Sequence, residues 1–278
     1  MLSYWYMFRI ERPSKADLAA FYEDGYAVFP DVLTDEGREG LTAEILRCAE
    51  VVDFLQMADA ERGRLSKPHR LSVIGWNDKG PFADQLFDAP LVTALLSAVL
   101  GEVYHFCHST IRISMRGSLG LGFHQDNLPT DTSEIHKGYI QMLYYPNGFT
   151  RGDAGLSVIP GSHRIDDWGE YAPYGPLLGV ATPQLLDERF GRQAGRRLEV
   201  MELSLPPGSM VFMNARVFHA VAPKPVESPQ EMRLFANYIF KEPGAPHPKT
   251  QVIPPEWLAR AGTARRRLFD RPAHAGCE

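Results

Sequence analysis

At 278 residues and 44% apolar content, the chain is long enough for one large domain with its own core. Its 29 basic and 34 acidic residues leave a formal charge of -5, which argues against nucleic acid as a partner; the run Arg265, Arg266, Arg267 reads as a solvated helix face. No segment approaches the roughly 18 consecutive apolar residues of a membrane span. The opening "MLSYWYMFRIERP" has neither a basic leader nor a small-residue cleavage site, so a cytoplasmic protein without a membrane partner is expected. Cys48, Cys107 and Cys277 share no CxxC spacing; the first two sit among apolar neighbours and read as buried thiols.

Ser14 caps a helix in which Leu18, Phe21 and Tyr22 recur at helical spacing up to Gly25. "YAVF" is a short strand stopped by Pro30. Thr34 caps a longer helix whose stripe of Leu41, Ile45, Leu46, Ala49, Val52 and Leu55 predicts one continuous element to about Leu55. Residues 59–72 are charged and broken by Pro68, and "DAPLVTALLSAVLG" predicts a further helix closed by Gly101. Residues 14–101 are thus read as mainly helical support.

From residue 103 the period becomes that of strands: "VYHFCHSTIRISM", "KGYIQMLYYP", "RLEVMELSL", "SMVFMNA" and "EMRLFANYIF" alternate, with Gly and Pro between them. Helices followed by antiparallel strands predict an α+β single domain, mainly β, with a sandwich or barrel core over 103–240. Residues 164–197, carrying Trp168, Tyr171 and Tyr174, form an irregular insertion read as a lid over a pocket. Residues 241–278, rich in proline, read as a surface wrap ending in a short helix from Glu256 to Arg267.

Within "GFHQDN", His124 and Asp126 stand at i and i+2, so on an extended strand both face the same side. A third ligand must come from another strand, and His219 is the best placed: a turn at Pro207 and Gly208 launches a strand that carries it toward the far end. Two imidazoles and a carboxylate leave open positions on a metal, as in non-haem Fe(II) oxygenases. Zinc accepts the same set, so a hydrolase or isomerase, or a binding protein with a vestigial site, stays in play. A lone HxD also caps turns. His105 and His108, three apart, face opposite sides of a strand, and His163 after a Gly-Ser turn is catalytic or structural.

Arg233 lies fourteen residues after His219, on a strand long enough to pair antiparallel with the one bearing the histidine. Its planar fork can grip a carboxylate in bidentate fashion, which a dicarboxylate cosubstrate requires and a hydrolase does not. Arg112 and Gln141 fall on strands flanking the HxD segment, where alternation can point both inward, to a keto acid or a polar substrate; a one-residue slip reverses the face. Arg116 and Arg216 are weaker candidates.

"GFHQDN", "GLSVIPGSHR" at 155–164, "PPGSMVFMNARVFHAVAP" and the following arginine, together with the opening helix and "DGYAVFPDVLT", resemble the phytanoyl-CoA dioxygenase family over roughly Ala16 to Phe240. The resemblance implies a double-stranded β-helix, a jelly roll of cupin type. It implies Fe(2+) on His124, Asp126 and His219, and the distal carboxylate of 2-oxoglutarate on Arg233; Arg112 and Gln141 are candidate cofactor contacts from strand alternation alone. It also implies O2-dependent oxidation, foremost hydroxylation, of a small molecule, with release of succinate and CO2; oligomeric state stays open. His163 is then structural, and Val221 stands where family members often carry a hydroxyl residue toward the cosubstrate. The retained Asp126 favours hydroxylation, desaturation, epoxidation or ring formation over halogenation.

Overall fold

The computed structural model describes residues 7–76, 80–126, 139–165, 190–243, 245, 253 and 255–269. Helix α1, Lys15–Asp24, starts on Ser14, whose side chain accepts from the Asp17 amide while Asp17 answers the Ser14 amide; it ends on Gly25 at φ 86°. Strand β1, Tyr26–Phe29, follows as expected. The single helix predicted to about Leu55 is two, α2 at Asp35–Leu46 and α3 at Ala49–Gln56. Cys48 breaks it with an extended backbone, ψ 129°. The break shifts the phase of the stripe, so that Val51 and Phe54, rather than Val52 and Leu55, enter the core beside Leu41 and Ile45.

The charged stretch after Asp59 contains two elements that periodicity did not reveal, a one-turn helix α4, Asp59–Arg62, and strand β2, Arg70–Ile74. An edge strand with one half-covered face shows little apolar alternation. Helices α5, Pro81–Asp88, and α6, Pro90–Leu100, each open on proline. Together they are long and apolar enough to cross a membrane, yet Ala89 splits them and Leu86, Phe87, Leu91, Val92, Leu95 and Leu96 are wholly buried inside the protein. Buried Glu44 of α2 caps α5 by accepting from the amides of Phe82 (3.0 Å) and Ala83 (2.7 Å). Burial raises the Glu44 carboxyl above its ordinary range, against the pull of those two amides.

Eight further strands, β3 His105–Met115, β4 Leu121–His124, β5 Tyr139–Tyr145, β6 Leu156–Val158, β7 Met201–Glu202, β8 Ser209–Asn214, β9 His219–Val221 and β10 Met232–Lys241, complete two antiparallel sheets. The larger runs β1-β8-β5-β10-β3-β2 and the smaller β4-β9-β6-β7. This is the expected α+β jelly roll, with two differences of detail. "RLEVMELSL" contributes only β7 and an isolated bridge from Leu205 to Phe149. The strand expected to carry His219 stops at Asn214; the chain crosses between sheets over 215–218, and His219 opens β9. In consequence β10, with Arg233, pairs with β3 and β5 and not with the histidine's strand.

Both faces of the larger sheet are covered, so β5 is buried along its whole length and β10 at every residue after Met232. Alternation still sorts them. Ile113, Met142, Tyr144, Phe212, Tyr238 and Phe240 pack on the helices. Thr110, Arg112, Gln141, Tyr145, Arg233 and Asn237 face the smaller sheet and line a cavity. The C-terminal segment carries two helices, Pro255–Arg260 and Thr263–Phe269, in place of the one expected; Ala261 and Gly262 separate them. Arg265 is no solvated residue: it is 2% exposed, 2.8 Å from Asp84 and 3.0 Å from Asp88. These two acids, far upstream in sequence, draw the last helix onto α5.

His163, on a short 3-10 turn at Ser162–Arg164, packs against Gly25, where an added Cβ would stand 2.5 Å from its Nδ1. It does not line the cavity. Burial, reinforced by the charge of Arg164, lowers His163 from 6.5 to about 4. The unfolded chain therefore binds this proton more readily, so stability is expected to fall as pH drops from 6.5 to about 4 and to be indifferent to this group above that window. Denaturant midpoints across that range should decline less in His163→Gln than in the parent; parallel declines would contradict the assignment.

Candidate active site

The two imidazoles meet because β4 and β9 pair with His124 directly opposite His219. Asp126 lies just past the end of β4, its amide donating to the Ala215 carbonyl at 3.2 Å. Each ring presents Nδ1 to the carbonyl two residues back, His124 to Gly122 at 2.8 Å and His219 to Val217 at 2.9 Å. A carbonyl only accepts, so in the neutral rings the hydrogen sits on Nδ1 and the Nε2 lone pair is left facing the cavity. His124 Nε2 is 3.4 Å from Asp126 Oδ1, and His219 Nε2 is 3.5 Å from Oδ2. One donor atom from each of the three lies within 4.8 Å of the others, a spacing and chemistry that fit one divalent metal ion.

Burial alone would raise the Asp126 carboxyl, but hydrogen bonds and charges from both histidines hold it well below the usual carboxylate range. Burial likewise opposes a proton on His124, and Asp126 outweighs it, for a net upward shift. A carboxylate drawing positive charge from two rings is the arrangement a cation satisfies in their place.

Behind the triad lies a side-chain relay that sequence reading missed in part. The Gln141 amide donates to Asp126 Oδ2 at 3.0 Å, and Asn237 donates to the Gln141 carbonyl oxygen at 2.9 Å. Gln141 therefore faces the cavity as alternation suggested, but its amide is turned to the carboxylate and not to open space. Partners that orient a ligand in this way are worth about 10- to 100-fold in metal affinity. Gln141→Leu is expected to weaken Co(II) binding by a factor of that order while leaving the circular dichroism unchanged; an unaltered titration would remove the relay's role.

Across the cavity Arg233 is 1% exposed. It donates through Nη1 to the Ala154 carbonyl, and its guanidinium stands 5.7 Å from the Tyr145 ring centre and 5.6 Å from that of Phe235. The loop bearing Ala154 is pinned by a buried cluster in which Lys224 donates to Asp153 (2.8 Å) and to Ser228 (3.0 Å), while Ser228 donates to Asp153 (2.7 Å). Burial, with Arg112 and Arg70 nearby, lowers Arg233 to about 10, and the Tyr145 hydroxyl is pushed up to about 12 by its own burial. A charged fork held this deep, with no carboxylate on it among the described residues, is suited to an anionic ligand.

The cavity, of about 190 Å³, opens between the sheets and contains His124, Asp126, His219, Arg233, Arg112 and Gln141 together. His108, Tyr145 and Asn237 line it too, while Val221 offers no hydroxyl to it. Arg116 instead donates to the Ser228 carbonyl at 2.7 Å and Arg216 to that of Ile165 at 2.7 Å, both holding loops. Of the insertion read as a lid, residues 166–189, with Trp168, Tyr171 and Tyr174, lie outside the described residues, as do 127–138; residues 190–194 are helical.

A family model described as phytanoyl-CoA dioxygenase matches residues 21–224, a stretch that ends short of Arg233. No curated protein matches the chain in sequence. Similar solved structures include the non-haem α-ketoglutarate-dependent epimerase SnoN from nogalamycin biosynthesis, at TM-score 0.61 and 16% identity over 82% of each chain. The carbocyclase SnoK from the same biosynthesis gives 0.60 and 17% over 91% of this chain and 92% of its own. HygX from Streptomyces hygroscopicus, with nickel, 2-oxoglutarate and hygromycin B bound, gives 0.58 and 16% over 84% and 88%. At such identities these three likenesses speak for the jelly roll alone. The family match covers most of the chain and contains all three members of the triad, so the chain belongs to the phytanoyl-CoA dioxygenase family of non-haem iron, 2-oxoglutarate-dependent enzymes.

Proposed function

We propose that the protein is an Fe(II)- and 2-oxoglutarate-dependent oxygenase that hydroxylates a small organic molecule, working in the cytoplasm, a compartment that keeps Cys48 and Cys107 as thiols. His124, Asp126 and His219 would hold the iron, and Arg233 the distal carboxylate of 2-oxoglutarate. The observation that carries this reading is the placement of an open three-donor set and a buried guanidinium, with no carboxylate on it among the described residues, on the walls of one cavity. A hydrolase using the same donors has no use for that arginine.

When bound, iron and 2-oxoglutarate with O2 supply the oxidation, releasing succinate and CO2. The chain's own residues do the rest. Asp126 brings a charge held ionised by its neighbours, and Gln141 with Asn237 fixes its direction. Arg233, clamped by Ala154, sets the direction of the cosubstrate, and Leu143, Leu156 and Phe235 keep water from the space between. The bound nickel and 2-oxoglutarate of HygX support this use of the fold. The epimerase and carbocyclase activities named for SnoN and SnoK are the competing outcomes. Hydroxylation is preferred because it asks for no second reacting bond in the substrate, and Asp126 occupies the position a halide would need.

Incubation with Fe(II), 2-oxoglutarate and pooled small molecules in air tests the reading. Substrate-dependent succinate release with a product heavier by one oxygen atom is expected. An isomeric product, or one lighter by two hydrogens, would replace hydroxylation, and Zn(II)-supported hydrolysis indifferent to 2-oxoglutarate would overturn the class.

A further inference from the structure

We propose that the cavity contains a second anion site, in which Arg112 binds a carboxylate or phosphate group of the primary substrate; this deepens the oxygenase reading and rests on it. Arg112 stands opposite Phe235 in the pairing of β3 with β10, one diagonal step from Arg233, and its guanidinium lies 5.6 Å from the Phe235 ring centre, as does that of Arg233. The two cations therefore flank one aromatic side chain.

Charge balance separates their roles. A divalent ion and Arg233 carry three positive charges, and Asp126 and a 2-oxoglutarate dianion three negative ones, so that set closes on itself. Among the described residues lining the cavity, Asp126 is the only acid, while Arg112 adds a cation that this set leaves over. Among the described residues Arg112 makes a single hydrogen bond, from Nε to Ser72 Oγ at 3.2 Å, and neither of its terminal nitrogens has a carboxylate beside it. Arg70, on β2 and bonded to the Gly120 carbonyl at 2.9 Å, adds positive potential that no acid among the described residues offsets, and burial beside Arg112 lowers its own affinity for the proton. A largely desolvated guanidinium with an open fork is costly unless a ligand supplies the anion.

Position separates the roles as well. Ile74 of the edge strand β2 lines the cavity and is 59% exposed, which puts the mouth on the β2 side, where Lys67, Ser72 and Arg112 lie. Arg233 is buried beneath Ala154. A cosubstrate that enters first takes the deep cation, and the substrate meets Arg112 near the entrance, its apolar body against Ile74, Leu121 and Val221.

The test uses the full chain loaded with Ni(II), which does not turn over, and 2-oxoglutarate, titrated calorimetrically with phenylacetate, phenylphosphate and uncharged phenylacetamide. Wild type is expected to favour one or both anions over the amide by at least tenfold, and the stronger anion tells carboxylate from phosphate. Arg112→Gln should lose that preference while binding 2-oxoglutarate within twofold of wild type, which also shows that it folds; Arg112→Lys should keep part of it. No anion preference in wild type, or the same preference in Arg112→Gln, overturns the proposal. A tenfold or greater loss of 2-oxoglutarate affinity in Arg112→Gln overturns it as well, by moving Arg112 to the cosubstrate. Failure of wild type to bind Ni(II) or 2-oxoglutarate at the first step is a different result, which removes the oxygenase reading and the proposal with it.

Discussion

Replacing His219 with alanine is expected to abolish stoichiometric Fe(II) binding under anaerobic conditions. The change removes one of three donors whose atoms lie within 4.8 Å of one another. Residues that merely orient a ligand are worth about 10- to 100-fold, so loss of a ligand itself should exceed about 100-fold. A second effect follows from electrostatics. Burial pushes Asp126 upward and the two histidines hold it down; without His219 the carboxyl rises, so residual binding should weaken further as pH falls. Retention of the parental circular dichroism would separate loss of a ligand from loss of fold. An unchanged Fe(II) titration would mean that the metal, if any, is held elsewhere.

Arg233→Lys should leave iron in place and weaken 2-oxoglutarate. The guanidinium reaches the Ala154 carbonyl with one nitrogen while the rest of its fork faces the cavity. An ammonium is a point charge on a shorter reach and cannot satisfy both. Loss of a charged hydrogen bond costs about 1.5–3 kcal/mol, or roughly 10- to 150-fold in affinity. Calorimetric titration of 2-oxoglutarate into the Ni(II)-loaded variant measures this directly, and equal affinities for parent and variant would take Arg233 out of the cosubstrate site.

The parts of this site that were legible in the sequence are those with short-range signatures. His124 and Asp126 announce themselves by their i, i+2 spacing, although only His124 falls within the strand, and the alternation in "STIRISM" and "YIQMLYY" is enough to turn Arg112 and Gln141 to the same side. What was hidden depends on how strands meet. No glycine or proline marks the crossing at 215–218, so the run from Ser209 to Val221 reads as one strand although it serves two sheets. Asn237 stands four residues after Arg233 on the same face, but its role appears only once β10 is laid beside β5 and Gln141 comes within reach. Arg265 looked solvated because its partners Asp84 and Asp88 are remote in sequence, and charge patterning sees only neighbours along the chain. Strand β2 was missed for a related reason: half exposed and bearing Arg70 and Ser72, it carries the polarity of an edge, and that same polarity faces the mouth of the cavity.

The most direct test of the metal triad and Arg233 acting as one two-ended site is a titration of 2-oxoglutarate into the anaerobic protein with and without Fe(II), in wild type, His219→Ala and Arg233→Lys. One 2-oxoglutarate per chain, bound tightly only when iron is present and weakened in both variants, is the expected result. Equal binding with and without iron, or binding that neither substitution disturbs, would contradict it.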